Sequence, residues 1–325
     1  MDDKNWRPTS SLEALGFRSE ILWKMRSFFH NAGFWEVQTP ILSRDTVIDR
    51  HIDPIVLPGA SLALAGFHDQ PLFLQTSPEF ALKRLLAAGA QAIYQLGPVF
   101  RAGERGQFHN PEFTMLEWYR VGDGLEQAVE FLSQLVAHLV DQQPEIVTYR
   151  AVFERHTGID PAVAEQGELA EFASSNDLGV STDWTDDQDA WFDLIFSEIV
   201  QPQLGIAAPT VVTHYPASQA ALARLSSDAQ SCAERFELFI QGIELANGYH
   251  ELLDPSELER RNLTVQAQRM SDGKPPLPGS SHLLNAMRSG LPACSGCALG
   301  VDRLILALLG ANNIDNVLTF PIERA

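Results

Sequence analysis

Apolar residues at positions 21, 22, 25, 28 and 29 recur at helical spacing, which predicts a helix over 19–31 with Gly33 as its stop. FWEVQTP, at 34–40, reads as a short strand ended by Pro40. In LFLQTSPEFALKRLLAAGA, at 72–90, a strand runs toward Ser77 as N-cap, Pro78 takes the first helical position, and a helix closes near Gly89. AIYQLGPVF at 92–100 enters a hairpin and FTMLEWYRVG at 113–122 leaves it, followed by a helix over 125–141. Residues 145–208 carry only short helical pieces, at 148–157, 167–175 and 187–200, with acidic loops such as TDDQD, and are expected to form an insertion on the outside of the sheet. TVVTHYPAS restores a strand pattern, and RFELFIQGIELANGYHELLDP supplies two apolar-rich runs divided at Gly242. A helix over 255–271, a Pro/Gly loop at 273–279 and a short helix SHLLNAMRSG complete the pattern. Several strands follow one another without helices between them, so the fold class expected is α+β with a mostly antiparallel sheet flanked by helices.

Composition narrows the function classes. With 325 residues and 45% hydrophobic content the chain can bury one large core or two smaller ones. A formal net charge of −19 argues against a protein that wraps a long nucleic acid through its phosphates, because that affinity comes from Lys and Arg. No run of 18 apolar residues and no apolar N-terminal segment is present, so the expected location is the cytoplasm, with no membrane partner. Three cysteines fit a reducing compartment. Cys294 and Cys297 form a lone C-x-x-C where a structural zinc site would want a second pair, so they are read as small residues in a tight turn.

Candidate chemistry concentrates in FRAGERGQFHNPEFTMLEWYR, at 100–120. Arg101, Glu104, Arg105 and His109 crowd a Gly-containing loop, while Glu112, Phe113, Glu117 and Tyr119 fall in a strand-like run whose alternation can line one pocket floor. Such a hairpin suits a polyanion at one end and a cation at the other, as with ATP and an amino acid. Glu79 sits in a first helical turn, where it either complements the helix dipole or faces a pocket as an amine ligand. Glu237 and Glu244 lie seven apart among apolar neighbours, a setting in which two carboxylates beside phosphates can hold Mg²⁺. Glu251 repeats that spacing and is a candidate for a cationic substrate group. In CSGCALGVDRLILALLG, Gly296 and Gly300 permit close approach of a ligand to the backbone, and Arg303 stands in a first helical turn, an unfavourable place for a cation unless an anion is nearby.

FRAGERGQFHNPEFTMLEWY resembles motif 2 of the class II aminoacyl-tRNA synthetases, GCALGVDRL resembles motif 3, and the helix with EVQTP resembles motif 1. TSPE at 76–79, HNPEFTMLEWY and GIELANGYHEL resemble the lysyl branch most, over about 15–325. A lysyl synthetase carries an N-terminal OB-fold domain that reads the anticodon. The chain instead starts at the catalytic core, so a single catalytic domain, 1–325, with no anticodon-binding domain is expected. That pattern is similar to the short lysyl-synthetase paralogues that ligate (R)-β-lysine to elongation factor P, and Ala298, where lysyl synthetases usually carry Gly, together with GYHEL in place of GFSEL, points the same way.

The resemblance implies ATP and Mg²⁺ as cofactors, elongation factor P as acceptor, no tRNA, and a homodimer through motif 1. It implies catalytic roles for Arg101 and Arg303, with Arg101 on the α-phosphate and substrate carboxylate. ATP would be bound by Arg101, Ala102, Gly103, His109, Asn110, Phe113, Glu244, Leu245, Gly300 and Arg303, Phe113 stacking on adenine against Arg303. Glu237 and Glu244 would hold the metal. Ser77, Pro78, Glu79 and Asn247 would contact the amino-acid backbone end, Glu117, Tyr119 and Glu251 the side-chain ammonium, and Ala298 would shape the pocket wall. The family usually reads R-N-E in the loop where this chain reads Arg101-Ala102-Gly103-Glu104. A synthetase-like enzyme with another acceptor and a non-catalytic amino-acid sensor are the other readings. The sensor reading predicts loss of the phosphate and metal residues, which are present.

Overall fold

The computed structural model describes residues 6–227 and 232–325. In chain order it contains α1 (Leu12–Asn31), β1 (Trp35–Glu36), β2 (Leu42–Ser43), β3 (Val56–Pro58), β4 (Pro71–Leu74), α2 (Glu79–Ala87), β5 (Ala92–Phe100) and β6 (Glu112–Val121). There follow α3 (Leu125–Val140), β7 (Glu145–Thr148), α4 (Tyr149–Thr157), α5 (Gln166–Ser175), α6 (Gln188–Ile195), β8 (Thr210–Pro216), β9 (Cys232–Ile240) and β10 (Ile243–His250). The chain ends through α7 (Pro255–Ser271), α8 (Ser281–Gly290), β11 (Cys294–Gly300) and α9 (Val301–Leu309). It divides into two compact units, Met1–Asp123 with Leu252–Ala325, and Gly124–Glu251. Both are α+β with strands paired mainly antiparallel, as the pattern predicted.

In the first unit β1, β5, β6 and β11 lie side by side, β1 parallel to β5 and the other pairs antiparallel. A separate antiparallel ribbon has the order β2-β4-β3. The two faces of β6 do different work. Leu116 and Trp118 point toward α1, where Trp118 meets Phe29 edge-on at 5.4 Å between ring centres. On the same face Thr114 N donates to Asp302 of α9 at 2.6 Å, and Asp302, itself buried, also pairs with Arg18 of α1. Helix α1 begins at Leu12, earlier than the expected 19, because Ser11 accepts from Ala14 N at 3.1 Å and caps it. Predicted strand 34–40 shrinks to Trp35–Glu36.

The second unit orders its strands β10-β9-β8-β7, antiparallel except for the parallel β7–β8 pair. Gln241 and Gly242 both take positive φ, 52° and 72°, the conformation a two-residue hairpin turn requires between β9 and β10. Within 145–208 the three expected helical pieces appear as α4, α5 and α6, the last prolonged by a π-helical turn at Phe196–Val200. Their apolar faces join Trp191, Phe153 and Phe196 to Val212 and Phe239 of the strands. The short strand β7 was not foreseen, because EIVT is too brief to show alternation. Among the described residues no helix is long and apolar enough to cross a membrane.

Candidate active site

In the first unit the odd-numbered face of β6 carries Phe113, Met115, Glu117 and Tyr119, as strand alternation predicts. Glu112, grouped with them on sequence, is exposed and points to the other face. Beside this floor stand small residues of β11: Gly296 opposite Tyr119, Ala298 opposite Glu117 and Gly300 opposite Met115. None of the three adds more than a methyl group to that strand face, and Ala298 and Gly300 are half-buried. Cys294 and Cys297 are strand residues of β11, not turn residues, and an odd spacing puts them on opposite faces, so they cannot act as a pair.

Glu117 is 1% exposed, with Oε2 accepting from Ser77 Oγ at 2.7 Å and Oε1 from Tyr119 O–H at 2.8 Å. Burial, reinforced by the neighbouring charge of Glu79, pushes its carboxyl up to about 8 against the bonds from Ser77 and Tyr119. Glu79 is buried and accepts from Lys83 Nζ one turn further along α2, and that ammonium sits 5.9 Å from the Tyr119 ring centre. Sequence reasoning missed Lys83, although its i,i+4 spacing from Glu79 was visible. It also placed Pro78 one position too far into the helix. Pro78 is the N-cap, and Ser77 Oγ accepts from Glu79 N at 3.0 Å while its own proton goes to Glu117. One hydroxyl therefore starts the helix and orients the carboxylate.

At the open end of the hairpin, the Arg101 guanidinium lies 5.0 Å from the Phe113 ring centre and 3.7 Å from Glu104. Gly103 takes φ +76°, which a non-glycine residue would resist. Arg303, in the first turn of α9 after the Gly300 N-cap, donates to His109 Nε2. Burial, then the Arg303 charge, lowers the His109 pKa, so the ring is neutral and its Nε2 free to accept. Arg101 itself lies over the Phe113 ring. Asn110 is buried with its amide engaged by the chain, Nδ2 to Glu112 O at 2.7 Å and Oδ1 from Ile322 N at 3.1 Å, so it closes the loop. Arg105 likewise is held by Asp315 and Glu323.

In the second unit a bulge between Glu244 and Ala246 sets Glu244 opposite Phe239 and Asn247 opposite Glu237. Because paired residues share a face, Glu237, Glu244 and Asn247 stand on one side of the β9–β10 hairpin despite the odd spacing of 244 and 247. Leu245, which the bulge leaves without a register partner, is buried. Glu237 accepts from Tyr215 O–H and pairs with Arg235. Burial and then the Glu237 charge push the Tyr215 hydroxyl well above its ordinary range, keeping it a donor. A carboxylate offers about four lone-pair positions, so these two bonds leave Glu237 capacity for a metal, and two carboxylates on one face fit the small protein donor set Mg²⁺ takes beside phosphates. Glu251 is fully buried. The His250 of GYHEL points away from it and bonds Glu234.

A model of the family "tRNA synthetases class II (D, K and N)" matches residues 5–324. Proteins named elongation factor P–(R)-beta-lysine ligase, from Salmonella arizonae and Salmonella enteritidis, are each 42% identical to this chain over 98% of its length and 98% of their own. A match of that extent, ordered around the same β6 floor and β11–α9 junction that carry motifs 2 and 3, means that the chain belongs to the class II tRNA synthetases of the D, K and N group.

Proposed function

We propose that this enzyme activates (R)-β-lysine with ATP as an aminoacyl-adenylate and transfers it to the ε-amine of a lysine of elongation factor P. The carrying observation is the buried Ser77–Glu117–Tyr119 arrangement beside Glu79 and Lys83, a floor suited to a cationic side chain. Near-full-length identity of 42% to ligases of that name supports the acceptor.

In the first step an oxygen of the substrate carboxylate attacks the α-phosphorus and pyrophosphate leaves. The carboxylate is ionised at neutral pH, so no base is needed, and catalysis is positioning and charge stabilisation. Arg101 holds the carboxylate and α-phosphate, and Arg303, with neutral His109 fixing it, faces the phosphates. Phe113 supplies the adenine platform, Ala102, Gly103 and Gly300 the close backbone approach, and Asn110 the shape of the loop. Glu117 and Tyr119 take the side-chain ammonium, Glu79 the amino-acid end, and Ala298 the wall beside Glu117. In the second unit Glu237 and Glu244 would hold Mg²⁺, which when bound neutralises phosphate charge, and Asn247 and Glu251 keep the substrate roles of the family resemblance. In the second step the acceptor nitrogen attacks the acyl carbon, AMP leaves and the nitrogen sheds a proton. A free lysine is only about 0.1% neutral near pH 7.4, so this step depends on desolvation of the amine or on a base.

Purified elongation factor P incubated with the enzyme, ATP and (R)-β-lysine should gain one lysyl mass, and more slowly with (S)-α-lysine. Charging of tRNA with no gain on the factor would overturn the assignment. Arg101→Ala should abolish pyrophosphate exchange, whereas Glu251→Gln should mainly weaken amino-acid binding. A homodimer is part of the same reading, supported by Trp23 and Trp35, each 69% exposed on and beside α1. Sedimentation of Trp23→Glu should then report a monomer.

A further inference from the structure

We propose that Arg269 is a positioning residue for the adenylation step, acting on Arg101 through the turn at 49–53; this rests on the chemistry assigned above to Arg101. Arg269, near the end of α7, is 1% exposed, and a buried guanidinium is costly unless its protons are engaged. Nη1 donates to Asp49 O at 2.8 Å and Ile52 O at 3.4 Å, and Nη2 to Asp53 Oδ1 at 2.8 Å and Pro275 O at 3.3 Å. Lys274 Nζ lies 2.9 Å from Asp53 Oδ2 and donates to Arg50 O at 3.0 Å, while Arg50 pairs with Asp272 at 2.8 Å. Asp49 Oδ1 accepts from His51 N and Ile52 N, closing the turn on itself.

The clamped turn passes its geometry to the motif 2 loop at one point. Asp53 O accepts from Ala102 N at 2.7 Å, and Arg101 N donates to Pro111 O at 2.9 Å. The peptides on both sides of Arg101 are therefore tied, one to the hairpin and one to the turn that Arg269 holds. Ala102-Gly103, where the chain departs from the usual motif, has no polar side chain, so this backbone bond is the tie between that part of the loop and the turn. A planar fork reaching four acceptors is a task Lys cannot repeat.

The test is pyrophosphate exchange by Arg269→Lys and Asp53→Asn, normalised by active-site titration to the folded fraction and assayed well below each melting point. Misplacing a catalytic group by about 1 Å costs on the order of 100-fold. Arg269→Lys should therefore lower kcat by about 10- to 100-fold, with a smaller rise in the KM for the amino acid whose carboxylate Arg101 holds, and Asp53→Asn should fall between it and wild type. A lowered melting point with normalised kcat unchanged would make Arg269 structural only and overturn the inference. If Arg269→Lys fails to fold, Asp53→Asn decides alone, an unchanged kcat counting against. Wild-type enzyme that exchanges no pyrophosphate would instead sink the functional assignment.

Discussion

Binding of a lysine-type substrate should release a proton from Glu117. Burial holds this carboxyl at about 8, against an ordinary 4.5, with Ser77 and Tyr119 bonded to its two oxygens. At pH 7 about 90% of the free enzyme therefore carries the proton, and removing it costs about 1.4 kcal/mol. An ammonium arriving beside the carboxylate favours the ionised form and returns the pKa toward its ordinary value. Release on binding should be about 0.9 proton at pH 7 and about 0.5 at pH 8, and the dissociation constant should fall about tenfold between pH 6 and pH 7. Titration calorimetry at pH 7, repeated in two buffers of different ionisation enthalpy, measures the released proton directly. Glu117→Gln should bind more weakly, with neither proton release nor that pH dependence. Release near zero at pH 7, together with equal affinity at pH 6 and pH 7, would mean Glu117 is already ionised in the free enzyme and would refute the reasoning.

The same carboxyl makes stability pH-dependent. Its folded pKa is raised, so the folded state binds more protons than the unfolded one between 4.5 and about 8, and wild type should lose a few kcal/mol relative to Glu117→Gln as pH rises through that window. Chemical denaturation of both proteins at pH 5 and pH 9 measures the difference, and parallel behaviour would contradict it. Asp302→Ala leaves Arg18 without its buried partner and Thr114 N without its acceptor, and should cost about 3–5 kcal/mol by denaturant titration. Gly205→Ala and Gly273→Ala compare backbone strain with crowding at similar φ, +70° and +76°. A Cβ on Gly205 would lie 2.4 Å from Phe239 O whereas one on Gly273 meets nothing within 4 Å. Gly273→Ala should cost about 1–2 kcal/mol from the left-handed conformation alone, and Gly205→Ala about 1–3 kcal/mol more.

Strand alternation made the β6 floor legible before any coordinates, because Phe113, Glu117 and Tyr119 sit at odd positions of a ten-residue strand, whose centre is buried on both faces. Helix α7 and strand β5 were equally readable from continuous pattern. Local reading was weaker where a turn decides. Glu79 could be a dipole partner or a ligand, and its buried bond to Lys83 is a contact that neither reading foresaw. The start of α1 slipped because Gly16 interrupts the apolar residues Leu12, Ala14, Leu15 and Phe17, and glycine weakens a helical pattern. Cys294 and Cys297 looked like turn residues because their small, Gly-rich surroundings are also what an open strand beside a ligand floor needs.

The amino-acid sequence alone determined the family, the order of motifs and the residues of the floor, since these depend on residue type at fixed spacing. Tertiary structure decided what each polar group is bonded to. It put Arg101 over Phe113, used the Asn110 amide to close the loop, turned His250 away from Glu251, and tied Ala102 to a turn held by the distant Arg269. The reason is physical. Burial and pairing set the charge state and orientation of a side chain, and the partners that supply them are distant in sequence, joined only when the strands and helices pack.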